Sequence, residues 1–350
     1  ADRGRAGGSR AAEAGARNHR CSVAGAEAED FQAQAGHTES RKKAVIIPQA
    51  INPGGSAVTR SLFVNVCLAL CAALFLPAVG YAQAQAQLPI SCTRGGLQRA
   101  ADLYIEAQKK GDLSGLPLAR GVGYWENIAL ADITKGIVTK AMKIDHHRSF
   151  LDTDTCQTFT EVIVTDKAAP YVLGTRLRVN HDKIAEVEVI WTTTGYWLFN
   201  ADNYLKYSSA EKWDPIPADR RDSRGTLVSA ANAYLDAFLE QKIDLVPWGF
   251  PCQRTEGGMY TGKGLPTDSC EVGVPGNVNI SNRRFVVDEV MGTVLVFCTF
   301  GAGAPNGGSG APDTHLFRVE NGKLRYVHTL THLLQSAFRG NTTPGSSGTR

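Results

Sequence analysis

The chain lacks the marks of most common enzyme classes. It has no Gly-rich phosphate loop running into a helix, no His-Glu-x-x-His and no Gly-x-Ser-x-Gly, so nucleotide-dependent, metalloprotease-like and serine-nucleophile chemistry have no foothold. No Cys-x-x-Cys occurs, which argues against a zinc ribbon or a thioredoxin-like motif. Charge of one sign is also scarce, with a formal net charge of +3 over 350 residues. Electrostatic capture of nucleic acid or of an anionic membrane is therefore not expected. Methionine is rare, and none precedes Met142, so residues 1–59 are expected to lie upstream of the natural start. They mix Ala, Gly, Arg and Glu without helix or strand period, and are expected to be disordered or spurious.

What is present begins with a leader. Arg60, the apolar stretch Ser61 to Leu76 and the small-residue segment ending Gly80-Tyr-Ala82 describe a secretory signal peptide over residues 60–84, with cleavage expected after Ala82, Ala84 or Ala86. The mature protein is then expected to be secreted and extracellular, with no membrane partner. Of eight cysteines, Cys21, Cys67 and Cys71 leave with the leader. Cys92, Cys156, Cys252, Cys270 and Cys298 remain as bridge candidates in an oxidising compartment. The expected bridges are Cys92 to Cys156 and Cys252 to Cys270, with Cys298 a free thiol in the apolar run Leu295-Val-Phe-Cys298. Sequons at Asn279 and Asn341 suit glycosylation on that route.

The mature chain also resembles itself. Leu97 to Ala107 aligns with Leu227 to Ala237 at a constant offset of 130, both as amphipathic helices, and Glu126 aligns with Glu256 at the same offset. Further on, Arg148 to Asp152 aligns with Arg284 to Asp288, and Leu177 to Ile184 with Phe317 to Leu324. The second of those turns is Asn321-Gly322, a strong hairpin signal. Each copy reads as a helix, a variable loop and several antiparallel strands, an α+β unit. The expected boundaries are 92–214 and 223–332, divided by Pro215-Ile-Pro217 and its charge cluster, with Ser223 as the second helix's N-cap and a flexible tail at 333–350. The Gly-rich stretch Gly301 to Pro312 is expected to form a long loop between two strands.

The motifs Tyr124-Trp-Glu-Asn127, Trp197-Leu-Phe-Asn-Ala201, Val246-Pro-Trp-Gly249, Cys252-Gln-Arg-Thr-Glu-Gly-Gly258, Arg283-Arg-Phe-Val-Val-Asp288 and Arg325-Tyr-Val-His328 carry a resemblance. Over residues 92–332 the chain resembles a secreted fungal domain family of unknown function, which implies no activity. Each half is similar to the nuclear-transport-factor-like or SnoaL-like cone, also described as cystatin-like. That likeness implies a helix on a curved antiparallel sheet whose hollow holds a small molecule.

Residues that could carry chemistry are few. Strand alternation puts Tyr326, His328, Leu330 and His332 on one face, and His328 has the ordinary pKa of a general base. Arg254 and Glu256 sit in a stretch pinned by a cysteine and two glycines. A pocket in the second copy is thus expected, with His328, Glu256 and Arg254 as the catalytic set and Tyr326 and His332 as ligand-binding residues. Arg148 with Asp152, and Arg284 with Asp288, are duplicated and are read as pairing within each sheet. No metal and no cofactor is called for. The favoured function is a secreted module binding a small organic molecule or a surface partner, with a homodimer allowed. The alternative is a cofactor-independent lyase, dehydratase or isomerase.

Overall fold

The computed structural model describes residues 89–271, 273–274, 276–301 and 310–335. The leader, the signal peptide, the sequon at Asn341, most of the Gly-rich loop and most of the tail lie outside the described residues.

Helix α1 (Arg94–Lys110) opens on Thr93, whose hydroxyl accepts the Gly96 amide, and closes on Gly111 in the left-handed conformation that glycine adopts without penalty. Leu97, Ala101, Tyr104 and Gln108 share its buried face at helical spacing. Strands β1 (Leu118–Glu126), β2 (Ala129–Leu130), β3 (His146–Asp152), β4 (Gln157–Val164), β5 (Tyr171–Asn180) and β6 (Lys183–Thr193) follow. They form one sheet in the order β2-β1-β6-β5-β4-β3. A short helix, α2 (Ala201–Ser208), precedes the second helix of the repeat, α3 (Arg224–Glu240), which Ser223 caps as expected. Strands β7 (Trp248–Glu256), β8 (Met259–Tyr260), β9 (Ile280–Asp288), β10 (Thr293–Phe300), β11 (Ala311–Glu320) and β12 (Lys323–Thr331) form a second sheet in the order β8-β7-β12-β11-β10-β9. The two orders are the same. The Asn321-Gly322 turn joins the last two strands with both residues at positive φ, 54° and 66°.

The expectation of wholly antiparallel sheets is corrected at one pairing in each. Strand β1 lies parallel to β6, and β7 to β12. The cause is the chain's path: after the short strand it crosses to the far edge of the sheet and returns through three antiparallel steps. The last strand then arrives beside the first running the same way, which a hairpin alone cannot produce.

Each sheet buries both faces. One face of the first packs on α1 through Val162, Leu173, Leu177 and Val187, and one face of the second packs on α3 through Val294, Val296, Phe317 and Val327. The remaining faces meet back to back, where Phe150, Phe159, Ile190, Leu295, Phe297 and Leu316 form a shared apolar cluster. Among the described residues no helix is long and apolar enough to cross a membrane.

Two ion pairs tie the halves reciprocally. Arg94, at the start of α1, donates to both oxygens of Asp288 at 2.8 and 3.0 Å, and the Leu151 amide adds a third bond at 2.9 Å. Arg224, at the start of α3, donates to both oxygens of Asp152 at 2.9 and 2.8 Å, and the Val287 amide adds its own at 2.9 Å. Both aspartates are almost wholly buried. Burial opposes ionisation of Asp152, but Arg224 and the Val287 amide prevail and hold its carboxyl below the usual range. The duplicated Arg-x-x-x-Asp spacing thus marks contacts between the halves for both aspartates and for Arg284, while Arg148 pairs with Glu161 on the neighbouring strand of its own sheet. Arg284 reaches Glu188 of the other half, and Arg148 reaches Ser208 and Glu161. The fork of arginine matches the two carboxylate oxygens, and the backbone amide completes the site. Arg224→Ala should leave Asp152 buried without its cation and cost about 3 kcal/mol or more of stability. Urea unfolding followed by tryptophan fluorescence checks this, and Arg94→Ala should cost about as much.

Candidate functional site

A cavity of about 470 Å³ lies on the α3 side of the second sheet. Its apolar wall includes Phe238, Val278 and Phe300, and Trp197 and Leu198 reach in from the segment that follows β6. The polar groups are Arg254, Glu256, Asp313, His315, Thr329 and Thr331. The reach of Trp197 depends on two glycines in the turn after β7. A Cβ on Gly257 would stand 2.5 Å from the Trp197 carbonyl oxygen, and one on Gly258 would stand 2.4 Å from that of Asn200. The Trp197 indole then donates to Glu256 at 2.7 Å.

The first half shows why this hollow exists. There the chain crossing from β2 to β3 lies against α1, with Val138 and Met142 in its core. Gln108 donates to the carbonyls of Ile137 and Lys140 at 3.1 and 2.9 Å, and Glu126 accepts the Ile137 amide at 2.8 Å and the Trp191 indole at 2.8 Å. These bonds hold the crossing segment inside. In the second half the residues aligned with Gln108 and Tyr124 are Phe238, which has no amide side chain, and Arg254. Its crossing segment is instead held by the Cys252–Cys270 disulfide and by Asp268, whose carboxylate accepts the amides of Lys263 and Gly264.

Arg254 and Glu256 form an ion pair inside the cavity, and Arg254 also donates to the Tyr234 hydroxyl at 3.3 Å. Burial pushes the Tyr234 phenol up to about 12, so it stays protonated at neutral pH. Beside this pair lies a group that the sequence reading did not single out. Asp313 Oδ2 stands 3.2 Å from His315 Nδ1, and Cys298 Sγ lies 3.8 Å from that nitrogen and 3.9 Å from that oxygen. The Thr331 hydroxyl donates to the other Asp313 oxygen at 3.1 Å. Burial, and then the Asp313 carboxylate, push the Cys298 thiol well up. The available signal was the alternation Asp313, His315, Phe317, Val319, which sets two polar residues on one face of a strand just after the Gly-rich loop.

His328 does not join this set, which corrects its expected place. It points from β12 toward the first sheet, where Nδ1 meets Glu161 at 3.0 Å and Nε2 meets Glu211 at 2.8 Å. Tyr204 of α2 donates to Glu161 at 2.7 Å. Burial alone would lower the imidazole's pKa, but the Glu211 and Glu161 carboxylates outweigh it and push it up to about 10. Glu161 correspondingly falls to about 2 despite its own burial, chiefly through His328. At neutral pH His328 is a buried cation, unsuited to act as a base. The alternation of β12 was read with the wrong face toward α3, because both faces of that strand are covered and polarity does not distinguish them.

Tyr326 lies on the same face as His328, half-buried against Trp213, and borders a separate cleft with Lys212 and Arg318. His332 sits past the end of β12, its Nδ1 2.7 Å from the Trp191 carbonyl and its ring against Trp191 and Tyr196. Neither lines the cavity. Asn279, the residue just before β9, is exposed. Both expected disulfides are formed, Cys92–Cys156 and Cys252–Cys270, and Cys298 is free and buried.

The chain's second half, residues 220–331, matches the model of a family described as a domain of unknown function (DUF8021). No curated protein matches the chain.

The His328 cluster generates a stability profile. His328 titrates near 6.5 when unfolded and about 10 when folded, so its contribution is complete below pH 6.5 and is lost as pH rises through about 10. Glu161 titrates near 4.5 unfolded and about 2 folded, so its contribution is complete above pH 4.5 and is lost as pH falls through about 2. For this cluster the urea midpoint should be highest between pH 4.5 and 6.5. His328→Ala should cost about 3–5 kcal/mol, because two carboxylates lose their buried cation, and should flatten the alkaline limb.

Proposed function

We propose that the second half of this chain binds a small, largely apolar molecule carrying a polar or anionic group, within a secreted protein. The observation that carries this reading is the cavity itself. Its walls are mostly apolar, while its charged groups gather around Arg254, Glu256 and Asp313, an arrangement suited to burying a ligand body and orienting one polar end. The contrast with the first half supports it, since there Val138 and Met142 join the core and Gln108 ties the crossing segment to the helix. Thr329 adds a buried hydroxyl at the cavity with no hydrogen-bond partner among the described residues. Each half is read here as a cone of the SnoaL-like kind, supported by one long helix on one face of a six-stranded sheet. Secretion is supported by two disulfides, which persist in oxidising compartments.

The enzymatic alternative was built on His328 as the base. With that residue held as a cation outside the cavity, binding is the better supported activity.

Anilinonaphthalene sulfonate, an apolar fluorophore with one anionic group, should bind the mature protein at one equivalent and brighten. Val278→Trp, which fills the cavity wall, should weaken that binding at least about 10-fold, equal to about 1.4 kcal/mol, while the thermal midpoint holds. Equal binding by the folded variant would reject the cavity as the site.

A further inference from the structure

A cluster in the cavity wall, Cys298 with Asp313 and His315, has the composition and spacing of a metal site. Cys298 and Asp313 face each other directly across β10 and β11, and His315 lies two residues along on the same face. All three are almost wholly buried, at 0%, 0% and 2% exposure. A tetrahedral zinc centre has bonds of about 2.3 Å to sulfur and about 2.0–2.2 Å to nitrogen and oxygen, so neighbouring donors stand about 3.4 Å apart without sulfur and about 3.6 Å apart with it. The separations here are 3.2 Å for His315 to Asp313, and 3.8 and 3.9 Å for Cys298 to each. One ion contacts all three after shifts of a few tenths of an ångström.

Two further observations point the same way. Thr331 fixes the other Asp313 oxygen and leaves Oδ2 turned toward the other two donors, as hydrogen bonds from neighbouring groups orient a metal-ligating carboxylate. The filled half carries Val162, Leu173 and Thr175 at the aligned positions, so the donor set belongs to the hollow half alone. Asp313 and His315 line the cavity and Cys298 does not, so an ion held by all three would turn its remaining position toward the cavity.

We infer that Cys298, Asp313 and His315 form a three-ligand site for a borderline-soft divalent cation of the zinc class, open on its fourth side to the cavity. Thiolate, imidazole and carboxylate in tetrahedral spacing select such an ion over magnesium or calcium, which take oxygen ligands. Three protein ligands and one open position are the pattern of zinc sites that bind a water or a substrate group. The inference goes beyond the ligand cavity, because the ion binds with the cavity empty.

The test uses the untagged mature protein, stripped with a chelator and titrated with Co²⁺ alone. It should bind one equivalent and develop the visible bands of a tetrahedral centre together with a near-ultraviolet thiolate-to-cobalt band, and Zn²⁺ should displace both. Cys298→Ala keeps a small apolar side chain at a buried position and should remain folded by circular dichroism. It should abolish the thiolate band and weaken Co²⁺ binding about 100-fold or more, beyond the 10–100-fold that losing a group hydrogen-bonded to a ligand costs. Asp313→Asn should weaken binding and keep the thiolate band. Absence of stoichiometric binding to the folded wild type, or a thiolate band that survives in Cys298→Ala, would overturn the site. The fluorophore reports on the cavity separately, so the two readings fail independently.

Discussion

The arrangement of the two halves depends on a reciprocal exchange of arginines. Each helix begins with an arginine that its own half does not use, and each half buries an aspartate that its own residues do not neutralise. A carboxylate buried at that depth is tolerated only with a cation and hydrogen bonds around it. The faces that the long helices leave bare pack on each other, with α2 and Trp213 covering part of the first sheet's. The apolar cluster between them supplies attraction without direction, while Arg94 with Asp288 and Arg224 with Asp152 set the register of one half on the other.

That register determines what happens to the remaining polar groups between the sheets. On the first sheet Glu188 takes Arg284 from the second half and Arg176 from its own. The aligned position on the second sheet is His328, which carries the opposite charge. Its neighbours change with it: Glu161 and Glu211 supply the anions, with Arg148 alongside. The two clusters occupy corresponding positions with the signs of the central residue exchanged. His328 looked like a catalytic base in the sequence because a histidine among apolar strand residues is unusual, and the structure accounts for it as the counter-charge of a buried network.

Much of the fold was legible in the residues. The helices at Leu97 and Leu227, the Ser223 cap, the Asn321-Gly322 hairpin and both disulfides follow from local pattern and from the repeat. What stayed hidden was tertiary. No local signal distinguishes the helix-covered face of β12 from the sheet-covered one when both are dry, and none states that an arginine pairs with the other half. Half of the candidate site was visible, because Arg254 and Glu256 lie in a stretch pinned by a cysteine and two glycines. His315 and Asp313 were obscured by their place next to the Gly-rich loop, and Cys298 acquires meaning only from the strand beside it.

The exchange of arginines has an evolutionary consequence. A single half, standing alone, would lose the arginine and the backbone amide that its aspartate takes from the other half and would leave its own arginine without an acid, and a second identical half would satisfy both. The chain is thus organised as a homodimer whose protomers have been joined end to end. Joining removes the requirement that both protomers keep the same interior. One copy can fill its centre with a latched crossing segment and serve as a rigid brace, while the other keeps a hollow and the donor groups beside it, a division of labour that no symmetric pair can adopt.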